Sequence, residues 1–328
     1  MRWEEFVGNQ QTIARLQNLA ALDKSPHALL FIGPEGVGKF LAATIFAKAL
    51  CCENEQKPCG CCKSCQAFTS KNHPDFFVVK PEGQTIKIEQ IRKLQTDVSL
   101  APYLADKRVV IIDKADCMTV QSANSLLKTL EEPTGNAIFI LIAASRYQIL
   151  DTILSRCMLV TFQPIASELL AEALQLRECD DKTANLIAKL ADGSFGKALD
   201  LIEQEGLDIR NRAFNIMNQM MHCDLETFWQ ESRSLSEVER TNLSRILLDL
   251  NRILRDILIL HSDTEGSLVY NRDLIEQLNV ERERWSTRKL ILAMHEVDHT
   301  WQMLKSNVNA RLAIEQLFIK LRDLSSGV

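Results

Sequence analysis

The sequence predicts an α/β domain built on a parallel sheet, followed by helices with no further strands. Three observations lead there. Up to about Phe162, short apolar runs alternate with stretches of helical periodicity, as in a sheet covered by helices. At Ala28 to Thr44 a strand-like run, a glycine-rich turn and a helical pattern follow one another directly. After Gln163-Pro164 the strand-like runs stop, and Leu, Ala and charged residues recur at helical spacing to the end.

Taken in order, strands are expected at Ala28 to Ile32, Phe76 to Val79, Val109 to Ile112, Ala137 to Ile142 and Met158 to Phe162. Each run is apolar at successive positions, so all five are expected to be buried on both faces, as parallel strands are. A helix is expected from Thr119 to Glu132, with Ala123, Leu126, Leu127 and Leu130 on one face and Pro133 ending it. Pro164 is placed as a hinge, closing a first domain at residues 1–164. Residues 165–205 have room for three short helices, the last beginning after Asp192-Gly193-Ser194. Residues 206–328 read as longer amphipathic helices, among them Arg240 to Leu260 and Thr287 to Lys305, and such helices joined by short loops make a bundle.

Composition narrows the function classes. A chain of 328 residues, 46% hydrophobic and 25% charged, has the material for a globular core and is not mainly disordered. Thirty-eight Lys and Arg against 43 Asp and Glu leave a formal charge of -5, which excludes a basic protein that coats nucleic acid unaided. The longest apolar run, Ala137 to Ala144, is far short of the ~20 residues that span a bilayer, so no membrane partner is expected. Glu4 and Glu5 stand where a secretory signal places apolar residues, and the expected location is the cytoplasm.

Gly33-Pro34-Glu35-Gly36-Val37-Gly38-Lys39 has the spacing in which backbone N–H groups wrap phosphates, a helix N-terminus adds partial positive charge, and the lysine reaches the outer phosphates. In such loops the next residue is Ser or Thr, whose hydroxyl holds magnesium; here it is Phe40. The strand Val109 to Ile112 delivers Asp113 to the metal position, but the next residue, a Glu in hydrolysing relatives, is Lys114. Asp116, three residues beyond Asp113, is placed either near the metal position or, more simply, as a cap for the helix opening at Thr119. ATP with magnesium is thus an expected but incompletely equipped ligand, and hydrolysis by this chain is expected to be poor or absent.

Ten cysteines in a reducing compartment call for metal binding rather than disulfides. Six of them, Cys51, Cys52, Cys59, Cys61, Cys62 and Cys65, lie close together. Cys59, Cys62 and Cys65 stand at successive two-residue spacings, with Cys51 or Cys52 upstream as a fourth thiolate, a set that suits a closed structural zinc site. An iron–sulfur cluster is the smaller alternative. Cys61 is expected to point away, and Cys117, Cys157, Cys179 and Cys223 are expected to pack as small hydrophobes.

The ordered segments resemble the clamp-loader AAA+ ATPases and, within them, the delta-prime branch of the bacterial DNA polymerase III subunits. The resemblance is carried by Gly33 to Lys39, Cys52, Cys59, Cys62 and Cys65, His73-Pro74-Asp75, the strand ending at Asp113, Ser122 to Pro133, and Ser155-Arg156-Cys157. It implies a nucleotide fold with a zinc module at about residues 51–66, a helical lid at 165–205 and a helical collar at 206–328. It favours Cys52 as the fourth zinc ligand and Ser145 as the nearest candidate for a nucleotide sensor. Ser155-Arg156-Cys157 is similar to the family motif whose arginine crosses a subunit interface to a neighbour's ATP, so Arg156 is the implied catalytic residue in trans. Lys197 stands where the family carries a second sensor arginine, and a lysine lacks the planar fork that grips phosphate oxygens twice. The implied partners are gamma/tau and delta subunits in a hetero-pentamer, the sliding clamp and, through the assembly, primed DNA in replication. Two alternatives stay open: a gamma/tau-like ATPase that turns over by itself, and a zinc-stabilised scaffold that binds no nucleotide.

Overall fold

Five apolar runs pair into one parallel sheet: β1 (Ala28–Ile32), β2 (Phe76–Val79), β3 (Arg108–Ile112), β4 (Ala137–Ala143) and β5 (Met158–Thr161). Their spatial order is β2-β3-β4-β1-β5, so β1, which leads into the glycine loop, lies inside the sheet with β4 and β5 on its flanks. A computed structural model supplies the coordinates, and it describes residues 2–22, 25–132, 136–177, 179–203, 206–222, 225–263, 266, 268–306 and 308–326. Pro133 and Cys223 lie outside the described residues.

Fifteen helices are described: α1 (Gln10–Ala21), α2 (Lys39–Leu50), α3 (Lys63–Thr69), α4 (Ile88–Ser99), α5 (Val120–Glu131), α6 (Asp151–Leu154), α7 (Ser167–Gln175), α8 (Asp181–Leu190), α9 (Phe195–Glu203), α10 (Gly206–His222), α11 (Leu225–Ser236), α12 (Arg240–Leu260), α13 (Ile275–Arg284), α14 (Thr287–Lys305) and α15 (Ala310–Ser326). They belong to two compact units, Met1–Cys179 with Asp192–Lys197, and Asp180–Ala191 with Ala198–Val328.

In the first unit the two-residue period of a strand sends neighbouring side chains to opposite faces. Leu29, Phe31, Val109, Ile111, Ile138 and Ile140 join Ile13, Leu16, Ala42, Ile45 and Phe46 in one core, so α1 and α2 cover that face. Leu30, Val110, Ile112, Phe139 and Leu141 join Ile91, Leu94, Leu126 and Leu130 in a second core under α4 and α5. Each fully buried Leu, Ile or Phe contributes roughly 1.5–3 kcal/mol by leaving water, which holds the central strands in place.

Burial of all five strands on both faces is not what the structure shows. β1, β3 and β4 are buried throughout, whereas Val78 of β2 is 38% exposed and Leu159 of β5 is 40% exposed. These are the two edge strands, paired on one side only. Asp116 does not cap α5 either. Thr119 is the cap, its Oγ1 accepting the Ser122 N–H at 3.2 Å.

The second unit contains a core to which α10, α12, α14 and α15 supply Phe214, Ile253, Ile257, Leu290, Val297, Ile314 and Phe318. Buried Asp256 of α12 anchors the loop before α13 by accepting from the Asn271 N–H at 2.8 Å and Nδ2 at 2.7 Å.

Candidate nucleotide and metal sites

The glycine loop follows from the geometry of β1 and α2. Gly38 is the N-cap of α2 with φ 94°, and Gly36 has φ 76°, values that a side chain disfavours. Both glycines are also in tight quarters. A Cβ on Gly38 would meet the Phe6 ring at 2.7 Å, and one on Gly36 would run into the Ser194 hydroxyl. The loop is fastened to that segment, since the Gly196 N–H donates to the Gly36 carbonyl at 2.9 Å.

Lys39 is buried, and its ammonium donates to the carbonyls of Gly33 and, at 2.6 Å, of Pro34. Burial pushes its pKa below the usual lysine value, with Glu35 the strongest opposing charge. Beside it opens a cleft of about 450 Å³. Glu35, Gly36, Gly38, Lys39, Phe40, Asp113, Lys114 and Asp116 line it, together with Ile142, Ala143, Ala144, Phe195 and Gly196. Gly33, Pro34, Val37 and Lys197 do not line it: Val37 is buried in the core, and the Lys197 N–H donates to Ser194 Oγ at 3.2 Å. Ser145 is also absent from the lining; its Oγ accepts the Tyr147 N–H at 3.3 Å.

Phe40 follows the loop lysine at the position where phosphate loops carry a hydroxyl, and Lys114 follows Asp113 just after β3. The Lys80 ammonium sits 4.7 Å from the centre of the Phe40 ring. Lys114 takes the left-handed backbone conformation, φ 53°, and its ammonium lies 3.4 Å from Glu35. The Glu35 carboxylate raises the Lys114 pKa, so the cation persists at neutral pH. Asp116 lines the cleft near Asp113, and its Oδ1 is buried with no hydrogen-bond partner among the described residues.

The cysteine site is assembled by the end of α2, a loop and the start of α3. Sγ atoms of Cys52, Cys59, Cys62 and Cys65 all lie within 4.8 Å of one another. Cys59 and Cys65 are 3.9 Å apart and Cys62 and Cys52 4.0 Å, close to the about 3.8 Å edge of a tetrahedron of sulfurs around zinc. Backbone N–H groups of Cys59, Cys62 and Cys65 donate to the sulfurs of Cys52, Cys59 and Cys62 at 3.4, 3.3 and 3.4 Å. Backbone N–H groups of Cys62 and Cys61 lower the Cys59 thiol to about 6, whereas burial pushes the Cys52 and Cys65 thiols up. The residues fit a four-sulfur metal ion. Cys51 is outside the group; its thiol, pushed up to about 12 by burial, donates to the Lys107 carbonyl. Cys61 is exposed, with its sulfur 3.6 Å from that of Cys59.

His73-Pro74-Asp75 ties this module to the sheet. His73 Nδ1 accepts the Asp75 N–H at 3.1 Å, so Nε2 carries the proton and donates to buried Ser64 of α3 at 2.9 Å. The fully buried Asp75 carboxylate accepts the N–H groups of Tyr103, Leu104 and Ala105 at 2.8, 2.7 and 3.0 Å. Burial alone would raise its pKa; these donors and Arg108 outweigh it and hold the carboxyl below the ordinary value.

Arg156 lies between α6 and β5 with its side chain 32% exposed. Its Nε donates to Glu131 Oε1 at 2.7 Å and its NH1 to the Thr152 carbonyl at 2.8 Å. No sequence pattern pairs Glu131 with Arg156, or Glu35 with Lys114; the fold brings both pairs together.

Comparison with known proteins follows this geometry. The family model described as "DNA polymerase III, delta subunit" matches residues 8–166. The chain is 32% identical to the DNA polymerase III subunit delta′ of Bacillus subtilis over 98% of both chains. It is 29% identical to the subunit tau of the same organism over 97% of this chain and 57% of that one. Among solved structures, a gamma subunit-related protein of Thermotoga maritima aligns with a TM-score of 0.47 at 18% identity, over 94% of this chain and 99% of that one.

Proposed function

The chain belongs to the DNA polymerase III delta′ family of clamp-loader subunits, and from that premise we propose that it hydrolyses little or no ATP itself and lends Arg156 to a neighbouring subunit's nucleotide. The observation that carries this reading is the Lys114–Glu35 ion pair, 3.4 Å long, at the cleft where a water-orienting carboxylate would be needed. With Phe40 in place of the magnesium-binding hydroxyl, the cleft keeps the phosphate-cradling backbone and lacks two groups for metal and water. Arg156 supports the other half of the reading, since a partly exposed guanidinium steadied through NH1 by Thr152 suits contact with a phosphoryl group on another chain.

In this proposal residues 1–164 form the nucleotide domain, 165–205 a lid and 206–328 a collar that joins gamma/tau and delta subunits in a ring of five. The assembly opens a sliding clamp and places it on primed DNA in the cytoplasm. Cys52, Cys59, Cys62 and Cys65 hold one zinc ion, which braces the module and, with four sulfurs bound, leaves no position for substrate. The test is reconstitution with motor and clamp-opening subunits. Arg156→Ala should lower ATP turnover by at least about tenfold at the site it faces while the assembly still forms; unchanged turnover removes the assignment.

One observation favours a second reading, an ATPase that works alone: Lys39 and Asp113 do line the same cleft. Purified chain would then release phosphate from ATP with magnesium, and Asp113→Ala would abolish the release.

A further inference from the structure

We infer that Glu131 is the positioning residue for Arg156, setting the guanidinium so that the remaining NH2 hydrogen faces the neighbouring subunit's nucleotide. The inference rests on the reading of Arg156 as a residue that acts in trans. Glu131 is the last residue of α5, where a carboxylate faces the negative end of the helix dipole, so the helix itself does not favour an acid there. Its partner is Arg156, which directs both Nε, at 2.7 Å, and NH2 onto the single oxygen Oε1. On the other side NH1 donates to the Thr152 carbonyl at 2.8 Å and to Ser155 Oγ at 3.2 Å.

These contacts define an orientation. The Nε–NH2 edge of the planar guanidinium is engaged by Glu131 and both hydrogens of NH1 by Thr152 and Ser155, which leaves the second NH2 hydrogen as the donor that a phosphoryl oxygen can accept from. An arginine on the surface samples many rotamers, and each one lost on docking counts against the transition state. Glu131 and Thr152 remove that freedom beforehand. The pair is 32% and 48% exposed, so it lies at the surface where a second chain can reach it.

The experiment uses the assembly reconstituted from full chains, with kcat and KM for ATP and the melting temperature of this chain as readouts. Glu131→Ala should lower kcat by about threefold to tenfold with KM unchanged, and Glu131→Gln, which keeps one acceptor and the same shape, should lie between it and the parent. In an Arg156→Ala background Glu131→Ala should change nothing further, because the two residues act as one unit. Equal losses in both backgrounds, or a rise in kcat in either Glu131 variant, overturn the inference. So does an unchanged kcat in both Glu131 variants while Arg156→Ala lowers turnover, which leaves the finger standing. If Arg156→Ala itself has no effect, the finger reading falls first and takes this inference with it.

Discussion

The cysteine cluster and the glycine loop occupy the same unit and differ in where their working atoms come from. In the cluster the ligand atoms are side chains of residues 52–65, and the N–H groups that bond to the sulfurs belong to the same short segment. In the cleft the loop supplies backbone with Glu35 and Lys39, while Asp113, Lys114 and Asp116 arrive from the end of β3 and the remaining wall from the end of β4 and residues 195–196. The turn itself is needed by the fold, because Gly38 starts α2 and Gly36 is packed against Ser194 and Gly196. It can therefore persist when Phe40 and Lys114 replace the groups that serve metal and water. A thiolate site has no backbone to fall back on.

The largest effect should come from the cysteines. Cys62→Ser removes a ligand from a closed set, and zinc content measured on purified protein should fall from one ion per chain to none, with the melting temperature lowered by roughly 10 °C. Full zinc retention would break the comparison at its stronger end. Next comes the strut that ties the cysteine module to the sheet. Asp75→Asn weakens acceptors for three backbone N–H groups and uncouples Arg108, and urea unfolding at neutral pH should show a loss of about 3 kcal/mol.

The pH dependence has a definite sign. The Asp75 carboxyl is held below its ordinary value of 3.8 in the folded chain, so between the folded value and 3.8 the unfolded chain binds the extra proton. Its contribution is complete above 3.8 and is lost as pH falls through the folded value. Stability of the parent should thus drop more steeply with acid than that of Asp75→Asn; parallel curves would exclude the coupling. The smallest effect tests the cleft. Phe40→Thr with Lys114→Glu restores a hydroxyl and a carboxylate, and magnesium-dependent ATP affinity should rise by about tenfold in a fluorescent-nucleotide titration. No gain would place the defect in the backbone and cancel the contrast with the cysteine site.

Legibility in the sequence followed the range over which each feature is encoded. β1 and β2 occupy the predicted residues, α12 and α14 span the predicted ranges, and the four cysteines meet, because apolar period and knuckle spacing are local signals. Val78 and Leu159 were misread because strand order decides which strands are edges, and an apolar run carries no record of its neighbours. The position of Asp116 in the sequence fits both a helix cap and the metal side of the cleft, and the turn after β3 decides for the cleft wall.

The charged pairs mark the same division. Glu35 and Lys114 are 79 residues apart by their numbering, and Glu131 and Arg156 are 25 apart, so neither pairing has a periodicity to reveal it. The residues alone determined the sheet-then-helix order, the phosphate-type turn, the missing hydroxyl and carboxylate, and the three knuckle sulfurs of Cys59, Cys62 and Cys65, since each is written within a single turn, strand or knuckle. Only tertiary structure decided that Lys114 is neutralised by Glu35, that Lys197 and Ser145 lie off the cleft wall, and that Glu131 holds Arg156. Those outcomes depend on which strands become neighbours, and that is settled by the packing of two cores rather than by any local stretch of chain.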